Sequence, residues 1–220
     1  MIYLDNSATT KPSKACLDAM TEALIEDFGN PSSLYTIGLE AEKKVKHARE
    51  VIAASIGADP SEVYFTSCGS ESDNTAVFGA WKARKKQGNR IITTAVEHPA
   101  VLRCFEQLER EGADVQYIPV LPSGDLDMDA FRKLLNEDTV FVSVMHVNNE
   151  TGAIFPIEEI SGEVRKYPNI IFHSDCVQSY GKIKLDVNKM GVDMISLSGH
   201  KVHASKGIGA IYVKNSLHIQ

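Results

Sequence analysis

The chain has 220 residues, 43% of them hydrophobic, which is enough apolar material for one sizeable core or one large domain with a small appendage. The formal net charge of −6 comes from acids and bases interspersed along the whole length, so no basic stripe exists to neutralise a phosphate backbone or an anionic membrane. Nucleic acid and membranes are therefore not expected as partners.

From the start, Met1 runs into Ile-Tyr-Leu-Asp-Asn with no basic n-region, long apolar run or cleavage pattern, so the expected location is the cytoplasm. Over 13–28, Leu17, Met20, Leu24 and Phe28 share one helical face, and Gly29-Asn30-Pro31 ends the run in a turn. A second helix carries Ala41, Val45, Ala48, Ile52 and Ile56 at helical spacing, closed by Gly57. Short apolar runs of strand character follow at 63–66, 90–95, 115–120, 139–145, 170–173 and 193–197, with a further strand candidate at 208–213. Helix candidates alternate with them at 70–87, 99–111, 127–136 and 156–166. That alternation predicts an α/β fold of three layers, α/β/α, around a mostly parallel sheet covered on both faces. No repeat or linker divides the chain. The four cysteines, Cys16, Cys68, Cys104 and Cys176, form no C-x-x-C pair, so neither a zinc site nor a disulfide framework is expected and no metal is assigned.

In such a sheet, ligands bind beyond the carboxyl ends of the strands, which directs attention to the polar residues that follow each run. Ser67-Cys68-Gly69-Ser70-Glu71-Ser72 is a small-residue turn opening a helix, where free N–H groups favour a phosphate; Ser70 as an ordinary N-cap with Asp73 as a first-turn acid explains it as well. Ser198-Gly199-His200-Lys201 places one lysine in a glycine-containing loop after a strand. Buried, that amine is a nucleophile able to hold an aldehyde as a Schiff base; exposed, it is an ordinary loop lysine. Asp175 follows the strand at 170–173 and precedes Gln178, and suits either a protonated ring nitrogen or a helix cap. His98 fits a core or capping role, and Asn148-Asn149-Glu150-Thr151-Gly152 fits a tight turn.

Together with Tyr3-Leu4-Asp5-Asn6-Ser7-Ala8-Thr9-Thr10, Gly29-Asn30-Pro31-Ser32-Ser33, Glu71-Ser72-Asp73-Asn74, Glu97-His98 and His146-Val147-Asn148-Asn149-Glu150, these clusters resemble, in order, the NifS/IscS-like cysteine desulfurases. Those are class V aminotransferase-like enzymes of fold type I. The resemblance implies a pyridoxal 5'-phosphate cofactor held covalently by Lys201, with Asp175 at the pyridine nitrogen, His98 on the ring face, and Gln178 with Asn149 on the ring hydroxyl side. Gly69, Ser70, Ser198 and His200 would hold the phosphate. Lys201, His98 and Asp175 are the implied catalytic residues.

The implied reaction takes L-cysteine to L-alanine and leaves enzyme-bound persulfide sulfur for iron–sulfur cluster or thio-cofactor synthesis. The implied partners are sulfur-acceptor or iron–sulfur scaffold proteins and a second copy of the chain, as a homodimer. Alternatives are selenocysteine lyase chemistry, another reaction on the same cofactor, or an inactive scaffold fragment. The 220 residues are expected to form the cofactor-binding large domain, with an N-terminal segment 1–35 and the C-terminal small domain absent. In the family that missing part carries the sulfur-accepting cysteine and an arginine for the substrate carboxylate, and none of the four cysteines here matches it. Val202-His203-Ala204-Ser205-Lys206-Gly207 also departs from the family's Gly-Pro before the Lys-Gly pair.

Overall fold

The computed structural model describes residues 2–219. Seven strands form one sheet: β1 (Val63–Thr66), β2 (Arg90–Thr94), β3 (Asp114–Ile118), β4 (Thr139–Ser143), β5 (Ile171–Asp175), β6 (Met194–Ser198) and β7 (Gly209–Val213). Their order across the sheet is β1-β7-β6-β5-β4-β2-β3. The β3, β2, β4, β5 and β6 neighbours pair in parallel, while β7 runs antiparallel to both β6 and β1. The helices are α1 (Lys14–Ile25), α2 (Thr36–Ile56), α3 (Gly69–Arg84), α4 (Pro99–Arg110), α5 (Met128–Leu134), α6 (Ile157–Val164) and α7 (Val187–Met190).

Alternate residues along each central strand feed two separate cores, because successive side chains point to opposite faces. Ile92, Val142, Phe172 and Ile195 pack with Phe131, Ile157, Ile160 and Val164 of α5 and α6 and with Ala53 and Ile56 of α2. Ile91, Phe141, Ile171 and Met194 pack on the other side with Ala76, Val77 and Ala80 of α3 and Val101, Phe105 and Leu108 of α4. Each fully buried Phe or Ile in these layers contributes roughly 1.5–3 kcal/mol. Three layers and a mostly parallel sheet are thus the observed architecture.

Three local readings change. The helix candidates at 70–87, 127–136 and 156–166 end earlier, because chain ends such as Lys85–Gly88 turn to bring β2 alongside Asp138, whose carbonyl accepts from the Arg90 amide at 3.0 Å. The short helix α7 falls between β5 and β6 where no helix was predicted. Asp186 caps it by accepting from Asn188 and Lys189 amides, and Gly191 ends it at φ 62°, leaving too few turns for a periodic signal. The stripe of α1 buries nothing among the described residues: Leu24 is 74% exposed and Phe28, beyond the helix end, 70%.

Candidate active site

The carboxyl ends of β4, β5 and β6 open on a cavity of about 230 Å³ between the α3 N-terminus and the segment around Ala8. Lys201 reaches it from a single 3-10 turn, Gly199–Lys201, that follows β6 directly. Only a glycine fits at 199, since a Cβ there would lie 2.7 Å from Ile208 Cγ2. The Lys201 ammonium donates to the Ala8 carbonyl at 3.0 Å and to the Ser7 carbonyl. Partial burial lowers its pKa, against the pull of Asp175, Asp5 and Glu150.

Asp175 is the last residue of β5 and only 6% exposed. Its Oδ1 accepts from the Val177 amide at 2.9 Å, so the side chain is fixed by its own turn and not by a helix cap. Burial raises the carboxyl to about 6, with the Val177 N–H and then Lys201 opposing. Of the core and capping roles left open for His98 the capping one holds, since the residue is exposed: it caps α4, its Nδ1 accepting from the Ala100 amide at 3.1 Å, and it also lines the cavity. That bond places the proton of the neutral imidazole on Nε2. Burial, and next the Lys201 charge, lower its pKa.

Asn149 is presented by a turn that Asn148 builds. Asn148 Oδ1 accepts from the amides of Glu150 at 3.0 Å and Thr151 at 2.9 Å, and its Nδ2 donates to the Val96 carbonyl at 3.0 Å, tying this turn to the loop of His98. Gln178 Nε2 donates to the Ser7 carbonyl at 2.9 Å. His200 Nδ1 meets Thr9 Oγ1 at 3.1 Å, and its carbonyl accepts from the Thr10 amide at 2.8 Å. The N-terminal segment is thereby fastened across the lysine loop.

Gly69, Ser70 and Ser198 line the cavity together, the Gly69 backbone facing Ser198. The helix begins at Gly69 with Cys68 as its N-cap and no side-chain cap bond, so Ser70 is a first-turn residue, not the cap. Asp73 is likewise no exposed first-turn acid: it is 1% exposed and lines the cavity floor. Two features fit this part of the cavity to a phosphate. Ser198 Oγ is buried without a hydrogen-bond partner, and a Cβ on Gly69 would fall 2.7 Å from Val177 Cγ2 and 3.4 Å from Ser198 Cβ, in the space before free helix N–H groups.

All the sequence-nominated residues line this one cavity, together with Ala8, Cys68, Asp73, Met145 and Val177, which were not nominated. Ala8 and Val177 carried no signal beyond adjacency. Asp73 did carry one: it falls in phase with Ala76, Val77, Ala80 and Trp81, an acid on an apolar stripe.

A lysine loop and a buried carboxylate at neighbouring strand ends of a three-layer α/β/α domain define the large-domain fold of fold type I pyridoxal-phosphate enzymes. The aminotransferase class-V family model matches residues 2–220, and the chain belongs to that family. It is 48% identical over 217 residues to a cysteine desulfurase of Nostoc sp., covering 99% of this chain and 54% of the relative. A solved NifS-like protein superposes with a TM-score of 0.97 at 39% identity, over 100% of this chain and 60% of that one. A structure described as SspA in complex with cysteine superposes with a TM-score of 0.92 at 39% identity, over 98% of this chain and 62% of that one. The chain spans about half the length of the curated relatives it matches.

Proposed function

We propose that this chain binds pyridoxal 5'-phosphate and supplies the cofactor half of a cysteine desulfurase. The observation that carries the reading is the opening of Lys201 and Asp175 into one cavity that is also lined by Ser198, whose buried hydroxyl is unpartnered. Lys201 would hold the aldehyde, Asp175 the ring nitrogen, and His98 one ring face. Gln178 and Asn149 would meet the ring hydroxyl side, and Gly69, Ser70, Ser198 and His200 the phosphate. The bound cofactor would supply an electron sink for bond breaking at the substrate α-carbon.

The remaining chemistry belongs to the chain's own groups. Asp175, anionic beside a cationic ring nitrogen, would keep that nitrogen protonated. The Lys201 amine, with its pKa lowered by burial, would take and return protons at the α-carbon. The Ser7 and Ala8 carbonyls, which accept from its ammonium, would steady it when it carries the extra proton.

L-Cysteine is the proposed substrate, in line with the cysteine bound by the SspA neighbour. A cysteine thiolate would attack the substrate sulfur, the carbon–sulfur bond would break toward the α/β-carbon unit, and that unit would take up protons and leave as alanine. The acceptor is not proposed among the cysteines here: Cys104 and Cys176 are buried, with both thiols pushed up to about 12, and the half-buried Cys16 and Cys68 do not match the position that the resemblance implies for it. Iron–sulfur scaffold or other sulfur-acceptor proteins, a cytoplasmic setting and a homodimer complete the proposal.

The test is borohydride reduction of the chain reconstituted with pyridoxal phosphate, followed by peptide mass analysis. The expected result is a yellow protein with the pyridoxyl group on Lys201, and a colourless, unlabelled Lys201→Ala variant. A label on another lysine, or none, overturns the reading. Sulfide and alanine release from L-cysteine would then be measured.

A further inference from the structure

The floor of the cavity contains an acid that the reading above does not use. Asp73, in the second turn of α3, is buried, and its Oδ1 has no hydrogen-bond partner. That oxygen lies 3.8 Å from Nε2 of His173, whose two ring nitrogens already face the hydroxyls of Ser143 and Ser196, each at 2.9 Å. Asp73 and Asp175 line the same cavity. Two carboxylates at one buried floor repel, and an unpartnered buried carboxylate is strongly disfavoured.

Among the described residues no cation faces Asp73 from the elements packed on it. From β5 and the residue after it come His173, Asp175 and Cys176; from the loop after β2 comes Glu97; from α4, Cys104; and from its own helix cap, Cys68. Burial holds His173 neutral, down to about 3, and holds Glu97 protonated, up to about 8. The same burial, and next the nearby Asp175, drive the Asp73 carboxyl well up against the opposing pull of the Ser196 hydroxyl. Lys201 instead bears on Asp175.

We propose that Asp73 is a positioning residue of the cofactor site: an un-ionised acid, set against His173, that reserves the single negative charge of the floor for Asp175. The inference rests on the cofactor reading for its purpose, but its protonation state is open to test without any cofactor.

In the cofactor-free chain, a carboxyl that keeps its proton on folding destabilises the fold progressively as pH rises above the unfolded carboxylate value of about 4. Asp73→Asn should therefore melt at or above the parent at pH 8, with an advantage that shrinks toward pH 5. An advantage of the parent that widens toward pH 8 overturns the proposal. Carbon-13 carboxyl NMR of the aspartate-labelled parent and of Asp175→Asn decides the same point should Asp73→Asn not fold. An aspartate at the protonated shift at pH 7 in both chains is expected, and none at that shift in Asp175→Asn overturns it.

With pyridoxal phosphate, absorbance titration should show binding weakened about fivefold or more by Asp73→Ala, which empties the space against His173. Asp73→Asn should restore it to within about threefold, while Asp175→Asn loses at least tenfold. An Asn variant as weak as Ala shows that an uncharged isostere does not serve, and an Ala variant as tight as the parent shows no positioning role; either result overturns the proposal. A parent that binds no cofactor sinks the functional reading alone, because the melting comparison still decides the state of Asp73.

Discussion

Burial acts on Lys201 and Asp175 in opposite senses, lowering the ammonium and raising the carboxyl to about 6, and each then moderates the other across the cavity. Neither effect needs a helix dipole or a metal. The part of the cavity proposed for the phosphate works by absence: Gly69 leaves a gap that a methyl group would fill against Val177 Cγ2 at 2.7 Å. Gly69→Ala is accordingly expected to cost about 1–3 kcal/mol in stability, since the added methyl group overpacks against the β-branched Val177. It should weaken pyridoxal phosphate binding roughly tenfold, about 1.4 kcal/mol, while changing pyridoxal, which lacks the phosphate, much less. Parallel absorbance titrations with the two aldehydes check this. Lys201, Asp175 and the serines of the turn were legible because each follows a strand. The alternative that made Asp73 a first-turn acid fails because the helix starts at Gly69 with Cys68 as its cap, one and two positions earlier than that reading has them.

The sheet and its flanking helices put these side chains in place. Strands β4, β5 and β6 are buried on both faces, and across them Ser143, His173 and Ser196 form one hydrogen-bonded row that underlies the site. Helix ends depend on backbone chemistry more than on apolar spacing. Gly57 closes α2 at φ 71°, a left-handed conformation that a Cβ disfavours, and a Cβ would also stand 3.3 Å from Asp186 Oδ1. Gly57→Ala should lose about 1 kcal/mol, read as a melting temperature about 2–4 °C lower by calorimetry, with cofactor binding unaffected. Gly57 was readable from sequence, whereas α7 was not, because its four residues give a cap and a stop but no period.

Taken as one body, the domain stores opposed titrations. Glu97 is buried with Oε1 accepting from Thr94 Oγ1 and the Met145 amide, both at 2.8 Å, and Oε2 unpartnered; burial raises it to about 8. A raised folded pKa means that its contribution is whole below the unfolded value of about 4.3 and is lost as pH rises toward 8. His173, lowered to about 3, contributes in the other direction: its term is present above about 6.5 and lost as pH falls from there. The urea midpoint of the cofactor-free chain should fall between pH 6 and pH 8. Glu97→Gln, which keeps both accepted bonds at Oε1, should flatten that fall and exceed the parent at pH 8. An equally steep fall in Glu97→Gln would assign the slope elsewhere.

Sequence alone determined the succession of strands and of the longer helices, though not the four-residue α7, and which residues stand just past a strand end, because periodicity and turn chemistry are local. The tertiary structure decided what local signals cannot carry. It inserted β7 antiparallel between β1 and β6, turned the acid at 73 inward beside Asp175, and left the α1 stripe uncovered among the described residues. A pattern of apolar residues states that a face prefers to leave water; only the packing of distant segments settles what that face meets.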